Sequence, residues 1–396
     1  MLPPMCAVAT SQSTVDNNQV QSGDVLSTET LNVVSVTDGS TATTTATGNS
    51  VSSAVQTGTL DVQSVQTLSG AVQGQTTLNV DTNAGALTAL TTAATGNTGD
   101  IGSYGGGTAT GAATQTVGPV TVEADSQING VNAQTGAASV TTQAIANAQG
   151  LTVQDANGAL TASQSSAALT QSSGGADIDY TPGTASFASS AVSNSVTATA
   201  AGAAGHTLNV TQTMTGARTQ AGEVDSFGNA QTAASAATAS DNNITATTEN
   251  GAVNLTDNQS NNAYTRAEVV LDAYQFGSGQ AQAYSVGNTT LAGAAGADLT
   301  LDNTQTNNGG DIVALSTFSG HDGYDASSTA TAMGNAVTGY ACSDCGGVIG
   351  VTNSQINSAN ISATSTLSVA ASNRSVTGVA TAVGNNATFY VSRPSH

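Results

Sequence analysis

The chain has 396 residues, of which 44 are Gly and 5 Pro, with no Trp and only 7% charged side chains. Its only cations are Arg218, Arg266, Arg374 and Arg393, and against 25 acids they leave a formal charge of −21. That balance disfavours phosphate backbones and anionic lipid surfaces, so nucleic acid is excluded as a partner. No run of about 20 apolar residues is present, which excludes a membrane-spanning helix.

Residues 1–9 end in Ala7-Val8-Ala9, the small-residue pattern that signal peptidase reads. The charged and apolar regions that normally precede it are missing, so this stretch reads as the remnant of a secretory signal. From residue 10 to 391 the chain reads as one repetitive domain, with a short tail at 392–396.

A phrase ending in Asn, in four copies Ala-x-Gly-Asn, returns eight times, at Asn49, Asn97, Asn147, Asn194, Asn242, Asn288, Asn335 and Asn385. The separations are 48, 50, 47, 48, 46, 47 and 50 residues. A fixed period of that size marks stacked structural units. Around the phrases Val, Leu and Ile alternate with Thr, Ser, Asn and Gln, which argues for strands with small apolar residues turned inward. This patterned alternation separates the chain from a disordered polar one, although aromatics make up only 3%.

A second phrase, apolar-x-apolar, follows the asparagine by 13 residues at Val62, Leu160, Leu255 and Leu301, and by 16 at Val210 and Val351. In the repeat after Asn97 it is delayed to Val122, as if a loop over Gly102 to Ala113 had grown. Gln259-Ser260-Asn261-Asn262, Gln305-Thr306-Asn307-Asn308 and Gln355-Ile356-Asn357 read as polar turns, and the repeated asparagines as corners between strands. The expected fold is an all-β solenoid, or β-helix, of about eight repeats of 46–50 residues. Each repeat is long enough for two coils of roughly 23–25 residues, giving about sixteen coils and a rod roughly 75 Å long at strand spacing. Phe389-Tyr390-Val391 brings unusual bulk and reads as a cap on one end.

Chemistry is scarce. His206, His321 and His396 lie far apart without partners at ligand or triad spacing, and no Gly-x-Ser-x-Gly elbow occurs. Cys342-Ser343-Asp344-Cys345 offers two thiols, too few for a structural zinc site, and in an exported rod reads as a disulfide-closed loop between Cys342 and Cys345. Asn307-Asn308-Gly309-Gly310-Asp311 and Asp322-Gly323-Tyr324-Asp325 resemble acidic turn sites but are single and imperfect, so they read as solvated turns. No catalytic, metal or cofactor residue is assigned.

The Ala-x-Gly-Asn and Leu-x-Val-x-x-x-Gln series, the Ala/Thr/Asn/Gln/Gly richness, the lack of Lys and the length together resemble the holdfast-anchoring HfaD family, over roughly residues 15–391. The resemblance implies a non-enzymatic, exported, outer-membrane-associated surface adhesin. Such a protein would hold an adhesive polysaccharide to the cell, alongside a curli-like subunit and a curli-type secretion lipoprotein, with self-association open. Three alternatives stand beside it: a self-assembling fibre or surface-layer component, an ice-binding face of Thr-x-Thr arrays such as Thr41-Ala42-Thr43, and a β-helix polysaccharide lyase with carboxylates among the 25 acids.

Overall fold

A computed structural model describes residues 12–216, 218–342 and 346–392. Residues 1–9, Cys345 and His396 therefore lie outside the described residues.

The described chain is all-β and parallel. Three turns at the N-terminal side contain three strands each. They are β1 (Gln12–Gln21), β2 (Val25–Ser35) and β3 (Gly39–Val55), then β4 (Thr59–Leu68), β5 (Val72–Asn83) and β6 (Leu87–Ser103), then β7 (Thr108–Val117), β8 (Thr121–Gln134) and β9 (Ala138–Gln154). Further along, each turn has one short and one long strand. These are β10 (Gly158–Ser166) and β11 (Leu169–Ala201), β12 (His206–Met214) and β13 (Arg218–Thr248), and β14 (Val253–Asn261) and β15 (Tyr264–Ala294). β16 (Leu299–Asn307) and β17 (Ile312–Cys342), then β18 (Ile349–Asn357) and β19 (Ile361–Ser392), follow.

The short strands form an eight-stranded sheet in the order β1-β4-β7-β10-β12-β14-β16-β18. The rest form an eleven-stranded sheet in which β11 pairs with β13 on one side and with both β8 and β9 on the other. Pairing joins residues one full repeat apart, as in Asn49 with Asn97 and Leu160 with Leu208. One repeat is thus one turn of the solenoid. The expected two coils per repeat is corrected, because a turn is wide and flattened rather than short. Eight strands at about 4.8 Å spacing span roughly 34 Å, about half the expected length.

Flattening follows from how the inward residues meet. The short strand packs across from the last part of the turn, bringing Leu60, Val62 and Leu160 against Ile101, Leu151 and Val196. The segment after it packs across from the segment beyond the next bend, bringing Leu78 and Ile128 against Leu90, Val140 and Phe187. A small third cluster with Leu68, Val72 and Val122 fills the middle. Most buried apolar side chains are Ala, so the two layers lie close and the interior is thin.

Register also revises the second phrase. Val62, Gly111, Leu160, Leu208, Leu255, Leu301 and Val351 occupy one column. Leu208, not Val210, is the equivalent residue, and Val122 belongs to the next strand, paired with Val72 and Thr170. Alternation hid this because Gly111 carries no side chain: a Cβ there would lie 2.3 Å from Ile101 Cδ1, which fills the column instead. The loop expected over Gly102 to Ala113 shrinks to four residues before β7, with Gly105 and Gly106 at positive φ. Phe389 lies over Gly339, and Tyr390 stacks on Tyr340 with ring centroids 5.7 Å apart. Residues 389–391 stay 37–47% exposed, so they extend β19 rather than cap the rod.

Candidate functional site

The eight repeated asparagines form one column, buried from Asn49 to Asn335 and exposed at Asn385 on the last described turn. In β11 the inward residues are odd-numbered from Thr181 to Ser193 and even-numbered from Asn194, so the alternation changes phase there. The asparagine sits at a bend within a strand rather than at a turn between strands, and none of the eight has positive φ. Each Nδ2 donates to the Oδ1 of the asparagine one turn on, from Asn49 to Asn97 and so along to Asn385, at 2.7–2.9 Å. The second N–H crosses the interior to a backbone carbonyl on the opposite layer, as from Asn97 to Thr116 and from Asn147 to Ser165.

A glutamine column answers it. Gln19, Gln66, Gln115, Gln164, Gln212, Gln259, Gln305 and Gln355 stack on the short strands, each Nε2 donating to the Oε1 of the preceding turn at 2.7–2.9 Å. Each also donates back across the interior, to the carbonyl of the residue after the column asparagine: Gln66 to Thr98, Gln115 to Ala148 and Gln164 to Ser195. The two ladders run in opposite directions along the axis and stitch the two layers together at mid-width. A buried amide is tolerated only when its polar atoms are satisfied, and here each interior amide makes both bonds. Gln259 and Gln305 are therefore buried strand residues, not parts of solvated turns. The sequence did show the glutamine spacing; the facing carbonyls that explain it are visible only in the fold.

The interior also holds carboxylates with no cationic partner among the described residues. Glu223 and Asp225 point into the apolar core and bond Ser189 and Ser235 respectively. Burial, and for Glu223 also the neighbouring Asp225 charge, pushes both acids well above the carboxylate range. Asp241, bonded by Asn261 at 2.6 Å and by Thr265, and Asp257, bonded by Thr290 at 2.7 Å, are each pushed up to about 7 by burial. Burial lowers His206 to about 4. His321 is exposed, stacked on Tyr274 at 4.7 Å and 3.0 Å from Asp322.

Cys342 is buried at the end of β17. Its expected partner Cys345 lies outside the described residues. Among the described residues no cluster of three or more His, Cys, Asp or Glu could hold a metal ion, and no helix is long and apolar enough to cross a membrane. Asp311 accepts from Asn360 on the next turn at 2.9 Å.

Asp322-Gly323-Tyr324-Asp325 lies elsewhere, at the narrow edge where a long strand bends from one layer into the other. Successive turns there place Tyr180, Asn229, Gln275 and Asp322 in register along the axis. The strands are irregular at this edge, with a register shift between Thr181 and Thr184, and a cleft of about 700 Å³ opens. Its floor is Phe276, packed edge-on against Phe318 at 5.2 Å.

Fold and ladders define a parallel β-solenoid held by axial amide columns. The family model described as HfaD, Holdfast attachment protein D, matches residues 34–310. The chain belongs to that family of holdfast attachment proteins. No curated protein and no solved structure matches it.

Proposed function

We propose that the chain is a non-enzymatic anchor at the cell surface, which carries load between the envelope and the adhesive polysaccharide of the holdfast. The observation that supports this reading is the pair of continuous amide ladders inside a member of a holdfast attachment family. A pull along the axis or across the layers is shared by many bonds at once, and the interior leaves no room for a deep reaction pocket. The outer face repeats Thr, Ser, Asn and Gln at fixed spacing, so many weak contacts to polysaccharide hydroxyls add as avidity. Export, association with the outer membrane, and partnership with a curli-like subunit and a curli-type secretion lipoprotein belong to the same proposal.

The test removes one whole turn, residues 195–242, so that Asn194 runs into Asn243, its successor's register partner being Ser195. Cells carrying this shortened rod should retain the holdfast under shear less well, in proportion to the turns removed. Unchanged retention after loss of two turns would contradict a load-bearing role.

A further inference from the structure

The edge cleft differs in kind from the rest of the surface. Other exposed apolar side chains, such as Val131 and Val224, stand on the outward face without a concavity beside them, but here Tyr180 and Tyr324 stand 45% and 52% exposed at the rim of a cleft. Between them the wall is amide: Asn229, Gln231 and Gln275. Two polar atoms in the lining, Asn229 Oδ1 and Thr181 Oγ1, are buried and make no hydrogen bond within the described protein.

The shape is held firmly. Phe276 is 4% exposed and occupies the space that side chains at Gly320 and Gly323 would need, with its ring carbons 2.5 Å and 2.2 Å from a Cβ at each. Those glycines let the ring lie flat under the cleft, so the floor is set by packing rather than by a mobile loop.

Electrostatics narrows the ligand. Asp322 in the lining faces His321 at 3.0 Å, Asp325 faces Arg374 at 3.2 Å and accepts from Ser375 at 2.7 Å, and Asp179 beside Tyr180 is exposed. The cleft therefore offers aromatic faces and amides with no cation in its lining, and the chain as a whole is strongly acidic and repels polyanions.

We propose that this cleft is a glycan subsite that seats a short run of a neutral polysaccharide along the rod axis. Tyr180 and Tyr324 stack on the apolar C–H faces of sugar rings, and the Asn229, Gln231 and Gln275 amides pair with ring hydroxyls. A concave site with an apolar floor and a few fixed polar groups is the usual form of a small-molecule site, and tyrosine supplies contact area at low entropy cost. The inference rests on the anchor reading and names where on the rod the polysaccharide is gripped.

The test uses the purified full chain. Its binding to neutral β-linked and α-linked glucose oligomers, N-acetylated amino-sugar oligomers and anionic galacturonate oligomers would be measured by calorimetry and by ligand-observed NMR. The wild type should bind at least one neutral series and not the galacturonates. Tyr180→Ala with Tyr324→Ala should weaken that binding at least tenfold with an unchanged melting temperature, while Tyr180→Phe with Tyr324→Phe should retain most of it. Equal binding by the alanine pair would overturn the cleft assignment and leave the anchor reading standing, with the sugar held elsewhere. A preference for galacturonates would overturn the neutral ligand. If the wild type bound none of the oligomers and did not pull down the cell's own polysaccharide, both the cleft and the polysaccharide contact of the anchor reading would fall.

Discussion

Mid-width and the narrow edge of the same turns follow opposite rules. At mid-width every turn repeats the same two residues, Asn and Gln, and each amide bonds its own kind above and below. At the edge the register column reads Tyr180, Asn229, Gln275, Asp322, a different side chain on each turn. Identity along a column is what a continuous ladder demands, since one mismatched residue leaves two neighbours unsatisfied. Variation along a column of polar side chains is tolerated where water or a ligand can satisfy the groups. The contrast separates scaffold from recognition within a single repeat.

The sharpest way to break the comparison is to cut the scaffold in the middle. Asn194→Ala removes the bonds to Asn242 and to the Thr213 carbonyl and leaves the Asn147 donor without its acceptor. It should cost about 3 kcal/mol in chemical denaturation, as buried polar groups are orphaned. Next in size is the pH response of the buried acids. Their folded values are raised above the unfolded ones near 4, so their stabilisation is full below pH 4 and is lost as pH rises through about 7. His206 has the opposite sign: its folded value is lowered, so its contribution is present above 6.5 and lost as pH falls toward 4. With four acids against one histidine, the melting temperature should fall from pH 5 to pH 8, and Asp241→Asn should make the slope shallower. A melting temperature that rises over this range would contradict the burial of these carboxylates.

Smaller again is Asn385→Ala. This asparagine is exposed on the last described turn; it accepts from Asn335 at 2.7 Å but donates only a long 3.4 Å bond to the Gln355 carbonyl and has no next turn to bond, so the loss should be about 1 kcal/mol. At the edge, Tyr180→Ala should change stability by less than about 0.5 kcal/mol, the usual range for exposed positions. If Tyr180→Ala destabilised the rod as much as Asn194→Ala, the edge would be scaffold too and the division would fail.

Much of the scaffold could be read from the chain. The period of the asparagines is the period of the solenoid, and alternation of small apolar with polar residues gives parallel strands. Two things resisted. The size of a turn did not follow from the period, because a 48-residue repeat fits either two narrow coils or one flattened turn, and only the pairing of Asn194 with Asn242 separates them. Gln259 and Gln305 looked like turn residues because burying a glutamine amide makes sense only once the facing carbonyls of Thr289 and Ala336 are known. The edge cleft was least legible. Of its residues only Asp322 to Asp325 stood out, as an acidic turn, since Tyr180, Asn229 and Gln275 lie nearly a repeat apart and no motif links them.

One deletion tests the central claim, that each repeat is a single turn locked by the two ladders. Removing residues 195–242 takes out one full period and brings Asn194 to the place of Asn242, so both ladders reconnect in register. Removing about half as many residues from the same region, 219–242, breaks both columns. Circular dichroism melts should show the full-turn deletion folded, with one cooperative transition close to that of the parent, and the half-turn deletion unfolded or melting far lower. A half-turn deletion as stable as the full-turn one would contradict the account, because only narrow coils of half the length could absorb it.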